Sequence, residues 1–175
     1  MKVVKTNLKE CLIIEPISFE DPRRFFLESF NIKKYKDIGI HYDFVQDNHS
    51  CSKKNVLRGL HYQQNCPQGK LVRVVSGEVF DVAVDLRKRS ETYGHYTSVV
   101  LSAENKKQFW IPPGFAHGFL VTSDYADFEY KCTEFYSPEN EVTIRWDDPS
   151  INIKWPCRNP FLSEKDLSGV LLTDL

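Results

Sequence analysis

The sequence predicts a mainly β fold, an antiparallel sandwich or barrel with few helices, on three observations. Short runs rich in Val, Ile, Phe and Tyr recur along the chain between clusters of Gly, Pro, Asn and Ser. Inside those runs side chains alternate in polarity, as they do on a strand with one buried face. Helical signals are weak, while aromatic residues make up 13% of the chain, enough to line a barrel interior with rings.

The opening residues, MKVVKTNLKECLIIEP, carry Lys5, Lys9 and Glu10 and no long apolar run, so no signal peptide is expected there. Residues 29–39, SFNIKKYKDIG, suit a short helix stopped by Gly39. NVLRGLHYQQ, residues 55–64, reads as a strand with Gly59 inside it. Residues 70–87 read as two strands joined around Ser76 and Gly77; in the second, Phe80, Val82, Val84 and Leu86 alternate with Val79, Asp81, Ala83 and Asp85. Residues 96–114 supply another pair with a turn near 103–105, and DFEYKCTEFY and EVTIRW add two more strands. LSEKDLSGVLL suggests a single helical turn beginning at Ser163. A sheet of this kind has edges, and pairing edges between subunits is one remedy, so a homodimer is expected.

At 175 residues the chain is expected to be a single domain spanning 1–175, able to bury a core without disulfide or metal staples. Its 23 basic and 24 acidic residues leave a formal charge of −1, which argues against general binding to nucleic acid or a membrane surface but leaves room for a local basic pocket. The five cysteines are odd in number and widely spaced, which fits reduced thiols better than a disulfide framework or zinc site. With no apolar run long enough for a membrane helix, a cytoplasmic protein is expected.

NVLRGLHYQQ poses a problem. Arg58 and His61 lie three residues apart, and a regular strand would point them to opposite faces. Either one of them faces solvent, or the backbone is irregular at Gly59 so that both enter one site. In WIPPGFAHGF, residues 110–119, the spacing from Pro112 through Gly114 to His117 resembles the second motif of the cupin superfamily of jelly-roll barrels. Many cupins bind a metal with this histidine and a preceding H-x-H pair; here the nearest candidate is His61-Tyr62-Gln63, which lacks the second histidine. A three-ligand metal site is therefore not expected.

The segments FEDPRRFFLESF, FVQDNHSCSKKNVLRGLHYQ, GKLVRVVSGEVFDVAVDLR, IPPGFAHGFL, YKCTEFYSPENE, IRWDDP, IKWP and LSEKD occur in this order. Together they resemble the dTDP-4-dehydrorhamnose 3,5-epimerase family over about residues 5–173, nearly the whole chain. The resemblance implies a metal-free, cofactor-free cupin-type jelly roll. It also implies a nucleotide-sugar substrate and a two-fold dimer with exchanged N-terminal strands. The expected reaction inverts C3 and C5 of dTDP-4-dehydro-6-deoxy-D-glucose, giving dTDP-4-dehydro-L-rhamnose. Both carbons flank the C4 ketone, so each can lose a proton to give an enolate and be reprotonated from the other face, which needs a base, an acid and donors at the C4 oxygen.

By that resemblance His61 is the base, where composition alone favours a structural histidine on an edge strand. Asp166 would hold it in a His–Asp dyad, although Ser163 and Asp166 also read as a helix start, and both can hold at once. Tyr130 would be the acid; the alternative is a buried ring whose hydroxyl found a partner. Lys70 shares a face with Val72 and Val74, which marks either a strand end reaching solvent or a partner for anionic charge in a cavity. With Arg58 and His117 it would stabilise the enolate, and Asp81 either orients one of these cations or is an exposed aspartate. The nucleotide end would be met by Arg23, Glu28, Gln46, Asn48, Arg58, Glu141 and Lys165, arginines suiting a diphosphate by their planar fork. The chain departs from the family pattern at Arg24, where a glycine is usual. Three alternatives stand beside this reading: an epimerase acting at one carbon only, a metal-dependent cupin, and a non-catalytic sugar-nucleotide binding module.

Overall fold

The computed structural model describes residues 1–175. Its strands are β1 (Lys2–Lys5), β2 (Leu12–Glu15), β3 (Ser18–Asp21), β4 (Arg24–Leu27), β5 (Gln46–Lys53), β6 (Leu57–Gln63), β7 (Lys70–Ser76), β8 (Glu78–Asp85), β9 (Tyr96–Ser102), β10 (Gln108–Ile111), β11 (Phe115–Val121), β12 (Tyr125–Cys132) and β13 (Glu141–Thr143), with short helices α1 (Ile32–Asp37) and α2 (Glu164–Leu167). They form a six-stranded sheet in the order β1-β2-β10-β7-β12-β5, a five-stranded sheet in the order β13-β6-β11-β8-β9, and a separate β3–β4 hairpin. Every strand pairing is antiparallel.

The two large sheets face each other across the main core. Val72, Val74, Phe109 and Phe128 from the first meet Val79, Ala83, Leu101, Phe119 and Val121 from the second. Each fully buried side chain of this size contributes about 1.5–3 kcal/mol. The five-stranded sheet is covered on its other face too. Val82, Val84 and Ala116 pack there against Ile144, Ile151 and Leu172, with Trp155 against Phe80. The alternation in β8 therefore sorts residues between two apolar environments, one on each face of its sheet. The six-stranded sheet is covered in part by α1 and the chain beside it, where Tyr35 and Ile40 pack on Ile14, Leu71 and Trp110.

Both helices lie where the sequence places them, for identifiable reasons. Asn31 caps α1 by accepting hydrogen bonds from Lys33 N and Lys34 N, and Gly39, at φ 94, follows the Ile38 cap with the left-handed backbone that glycine tolerates. Two expected strands are shorter than anticipated. DFEYKCTEFY leaves the sheet after Cys132, and EVTIRW pairs as a strand only over Glu141–Thr143 before Ile144 makes an isolated bridge to Val170.

The β3–β4 hairpin pairs with neither large sheet, and Phe19, Phe25 and Phe26 on it are exposed. Asp21 closes its turn by accepting from Arg23 N at 2.8 Å. Arg24 follows at φ 110, a region that disfavours side chains, which explains why the family pattern has glycine there. Arg24→Gly is expected to stabilise the fold by about 1 kcal/mol, read as a raised thermal midpoint, with turnover of a dTDP-linked ketosugar nearly intact. A large loss of turnover would mean the Arg24 side chain has been recruited to the reaction.

Candidate active site

The irregularity at Gly59 exists and it decides the site. On β11 the register runs His117 opposite His61 and then Phe119 opposite Arg58, so three steps along β6 face two along β11. One residue of β6 is thus extra, a bulge, with Gly59 at φ 128. Gly118 lies against it, so closely that a side chain on Gly59 would have its Cβ 2.5 Å from Gly118 Cα. The bulge turns Arg58 and His61 toward the same cavity, of about 610 Å³, within the range of small-molecule sites.

The cavity lies between the sheets. The six-stranded sheet contributes Gln46 and Asn48 from β5, Lys70 from β7 and Tyr130 from β12. The five-stranded sheet contributes Arg58 and His61 from β6, His117 from β11 and Glu141 from β13, while α2 adds Lys165 and Asp166. A second cavity, of about 310 Å³, is lined by the ion-paired Arg73 and Glu129 and by Lys131 and Asp47, with no acid–base dyad.

His61 Nε2 and Asp166 Oδ1 are 2.6 Å apart. The aspartate is itself held. Ser163 Oγ donates to Oδ2 at 2.7 Å and the Gly59 N–H donates to Oδ1 at 3.4 Å. Ser163 also caps α2, accepting from Asp166 N at 3.2 Å, so the helix start and the dyad are one construction. Burial alone would raise the Asp166 carboxyl, but the hydrogen bonds from His61 and Ser163 hold it below the ordinary carboxylate range. An ionised Asp166 accepts a hydrogen bond from Nε2–H, which leaves Nδ1 as the bare, basic nitrogen.

Tyr130 stands on the opposite sheet, sharing a face with the buried Phe128 and Cys132 as alternation predicts. Burial pushes its hydroxyl up to about 12, so it remains protonated and able to donate at neutral pH. Lys70 shares its face with Val72 and Val74 at the head of β7, and burial pulls its ammonium down. His117 is buried, with Nε2 3.0 Å from each carboxylate oxygen of Asp81. Burial lowers the His117 imidazole and raises the Asp81 carboxyl, each shift opposed by the other partner's charge. Of the two readings left open for Asp81, exposure is thereby excluded: the residue is fully buried, in the core between the sheets.

The family model for dTDP-4-dehydrorhamnose 3,5-epimerase matches residues 5–174. The chain belongs to this family. It is 58% identical to the dTDP-4-dehydrorhamnose 3,5-epimerase of Shigella flexneri over 176 residues, covering 99% of this chain and 97% of that one. Among solved structures, the dTDP-6-deoxy-D-glucose-3,5-epimerase of Legionella pneumophila Philadelphia 1, in complex with dTDP-4-keto-L-rhamnose, matches at a TM-score of 0.96 and 54% identity, covering 98% of this chain and 93% of that chain. A 3'-monoepimerase from Streptomyces bikiniensis in complex with dTDP-quinovose matches at a TM-score of 0.90 and 29% identity, covering 96% of this chain and 86% of that chain. The fold is the cupin-type jelly roll of these epimerases.

Against the residues that the epimerase family resemblance nominated, the cavity gathers ten of the twelve, all but Arg23 and Glu28. Those two stay with the N-terminal segment, outside the cavity of their own chain. Arg23 pairs with Asp21 at 2.5 Å and Glu28 with Lys34 at 2.9 Å. They fall outside because the hairpin that carries Arg23 pairs with no strand of either large sheet. Glu141 is in the cavity, bonded to Tyr136 and Lys165, and its free oxygen turns toward His61. As metal ligands the residues do not fit: no group of three or more His, Cys, Asp or Glu comes together, and both cavity histidines are bonded to an aspartate. Residues not singled out for the cavity include Ser50, Gln68, Tyr136 and Ser163. Only Ser163 carried a local signal, as the helix start.

Proposed function

We propose that this chain, as one epimerase domain spanning 1–175, inverts C3 and C5 of dTDP-4-dehydro-6-deoxy-D-glucose to give dTDP-4-dehydro-L-rhamnose. The observation that carries the reading is the placement of a dyad-held histidine and a protonated tyrosine on opposite walls of one cavity. His61 Nδ1 takes the proton from a carbon next to the ketone, and Asp166 stabilises the imidazolium that forms. The electron pair moves to the C4 oxygen, where Lys70, with Arg58 and His117, supplies positive charge and donors in a partly buried setting. Tyr130 then protonates the carbon from the other side.

Gln46, Asn48, Arg58 and Lys165 line the rest of the cavity and suit the nucleoside diphosphate. Arg23 and Glu28 serve the same end in the partner's cavity of a two-fold dimer, which also covers the exposed phenylalanines of the hairpin. No helix is long and apolar enough to cross a membrane, and we place the enzyme in the cytoplasm.

The deciding experiment is incubation with dTDP-4-dehydro-6-deoxy-D-glucose in deuterated buffer, with a matching reductase added to trap the product. Label at both C3 and C5, with formation of dTDP-L-rhamnose, is expected. Label at a single carbon would instead make the chain a monoepimerase, the activity named for the Streptomyces bikiniensis structure that shares its fold.

A further inference from the structure

Glu141 has a second use that nucleotide binding does not explain. Tyr136 Oη and Lys165 Nζ both donate to its Oε2, each at 2.7 Å. Its Oε1 is left to face His61 Nδ1 at 4.0 Å. Strand pairing fixes this arrangement, because Thr143 lies opposite His61 and Glu141 opposite Gln63, which makes Glu141 and His61 diagonal neighbours across β13 and β6. Asp166 occupies Nε2, so Nδ1 is both the nitrogen that gains a proton and the one that must lose it. Glu141 itself is shielded, while Tyr136 and Lys165 beside it are exposed, so the carboxylate joins the base to the solvent side of the cavity.

Inverting two carbons in one encounter requires a reset. In each inversion a C–H bond breaks, its electron pair enters the enolate, and the proton forms an N–H bond on His61. The Tyr130 O–H then breaks and its proton forms the new C–H bond, leaving a phenolate. A second inversion cannot begin until His61 has lost that proton and Tyr130 has regained one. An enzyme that inverts one carbon can reset after product leaves and water enters; one that inverts two must do so with the sugar still in place.

Resting on the double-inversion reading above, we infer that Glu141 is the proton exit of the site: between the two inversions its Oε1 takes the proton from His61 Nδ1 and releases it to water. Water returns one proton to Tyr130, so no net proton is consumed. The transfer requires the 4.0 Å gap to close, as contacts of this kind commonly do when substrate binds. Burial alone would raise the Glu141 carboxyl, but the bonds from Lys165 and Tyr136 keep it below the ordinary range, so it is ionised and holds the proton only in transit.

The test compares the wild type with E141Q and E141A on dTDP-4-dehydro-6-deoxy-D-glucose in deuterated buffer, counting singly and doubly inverted products at early times. Because Glu141 also anchors Lys165 and Tyr136, both variants are expected to lose overall rate, but the decisive readout is the product ratio, which should shift about tenfold toward singly inverted product. Acetate, a small carboxylate, is expected to restore double inversion in E141A, where the truncated side chain leaves room for it. Equal slowing of both inversions with the wild-type product ratio, or no response to acetate, would overturn the proton exit while leaving the epimerase reading intact. A wild type that labels fewer than two carbons would overturn the double-inversion reading itself.

Discussion

His61→Asn is expected to lower turnover by about 1,000-fold, the scale of a lost general base, with dTDP bound as tightly as by the wild type. Asparagine is too short to reach Asp166 from the place of Nε2, but the carboxylate keeps its bonds from Ser163 Oγ and the Gly59 N–H and is not stranded, while the amide offers no basic nitrogen. Calorimetric binding of dTDP alongside deuterium exchange into the ketosugar separates the two effects. A non-catalytic binding module would show neither exchange nor any change on substitution. Residual exchange near the wild-type rate would remove His61 from the mechanism and leave Tyr130 or Lys70 to be tested as the base.

Gly59→Ala is expected to place a single damaging methyl group directly behind the active site. The new Cβ would lie 2.5 Å from Gly118 Cα and 2.8 Å from the His117 carbonyl oxygen, at a φ of 128 that side chains rarely adopt. All three are backbone constraints, so no rotamer relieves them. The expected loss is about 3 kcal/mol of stability, seen as an earlier urea midpoint with an unchanged slope. Whatever relief the chain finds must part β6 from β11, and those strands carry His61 and His117. The folded fraction is therefore expected to be impaired as well, and an unchanged midpoint would show that the bulge is not needed.

The same bulge shows what the sequence could reveal. A glycine within an apolar run, with Arg58 and His61 three apart around it, was enough to raise the question, and the broken register answers it. The strands β7 to β10 and β12 were legible because each sets apolar residues on at least one face, whereas β11 is buried along its whole length and stood out only as a motif. In contrast β5, QDNHSCSK, carries almost no apolar signal. The reason is functional: Gln46, Asn48 and Ser50 face a polar cavity, and Asp47, His49 and the exposed Cys51 stand on the opposite side. Alternation is invisible when both faces are polar.

Asp81 shows the reverse difficulty. Its strand is buried on both sides, so periodicity divides the residues into two sets without telling which set has water beside it. The partner that settles it, His117, comes from β11 and is 36 residues away in sequence. The Asp166–His61 contact spans 105 residues, and no spacing rule predicts it. Motif order nominated those residues, and packing had to bring them together.

The hairpin of β3 and β4 carries its consequence at the level of dosage. It exposes Phe19, Phe25 and Phe26 and holds Arg23 away from its own chain's cavity. On the proposed pairing each catalytic unit is a composite, so specific activity should fall on dilution and recover with second-order kinetics on reconcentration. Two crippled variants, one lacking His61 and one lacking Arg23, should then revive each other when mixed, because some hybrid dimers assemble one undamaged cavity. On that same pairing, the exposed phenylalanines would be adhesive until partners meet, so slow assembly at low concentration should show as aggregation.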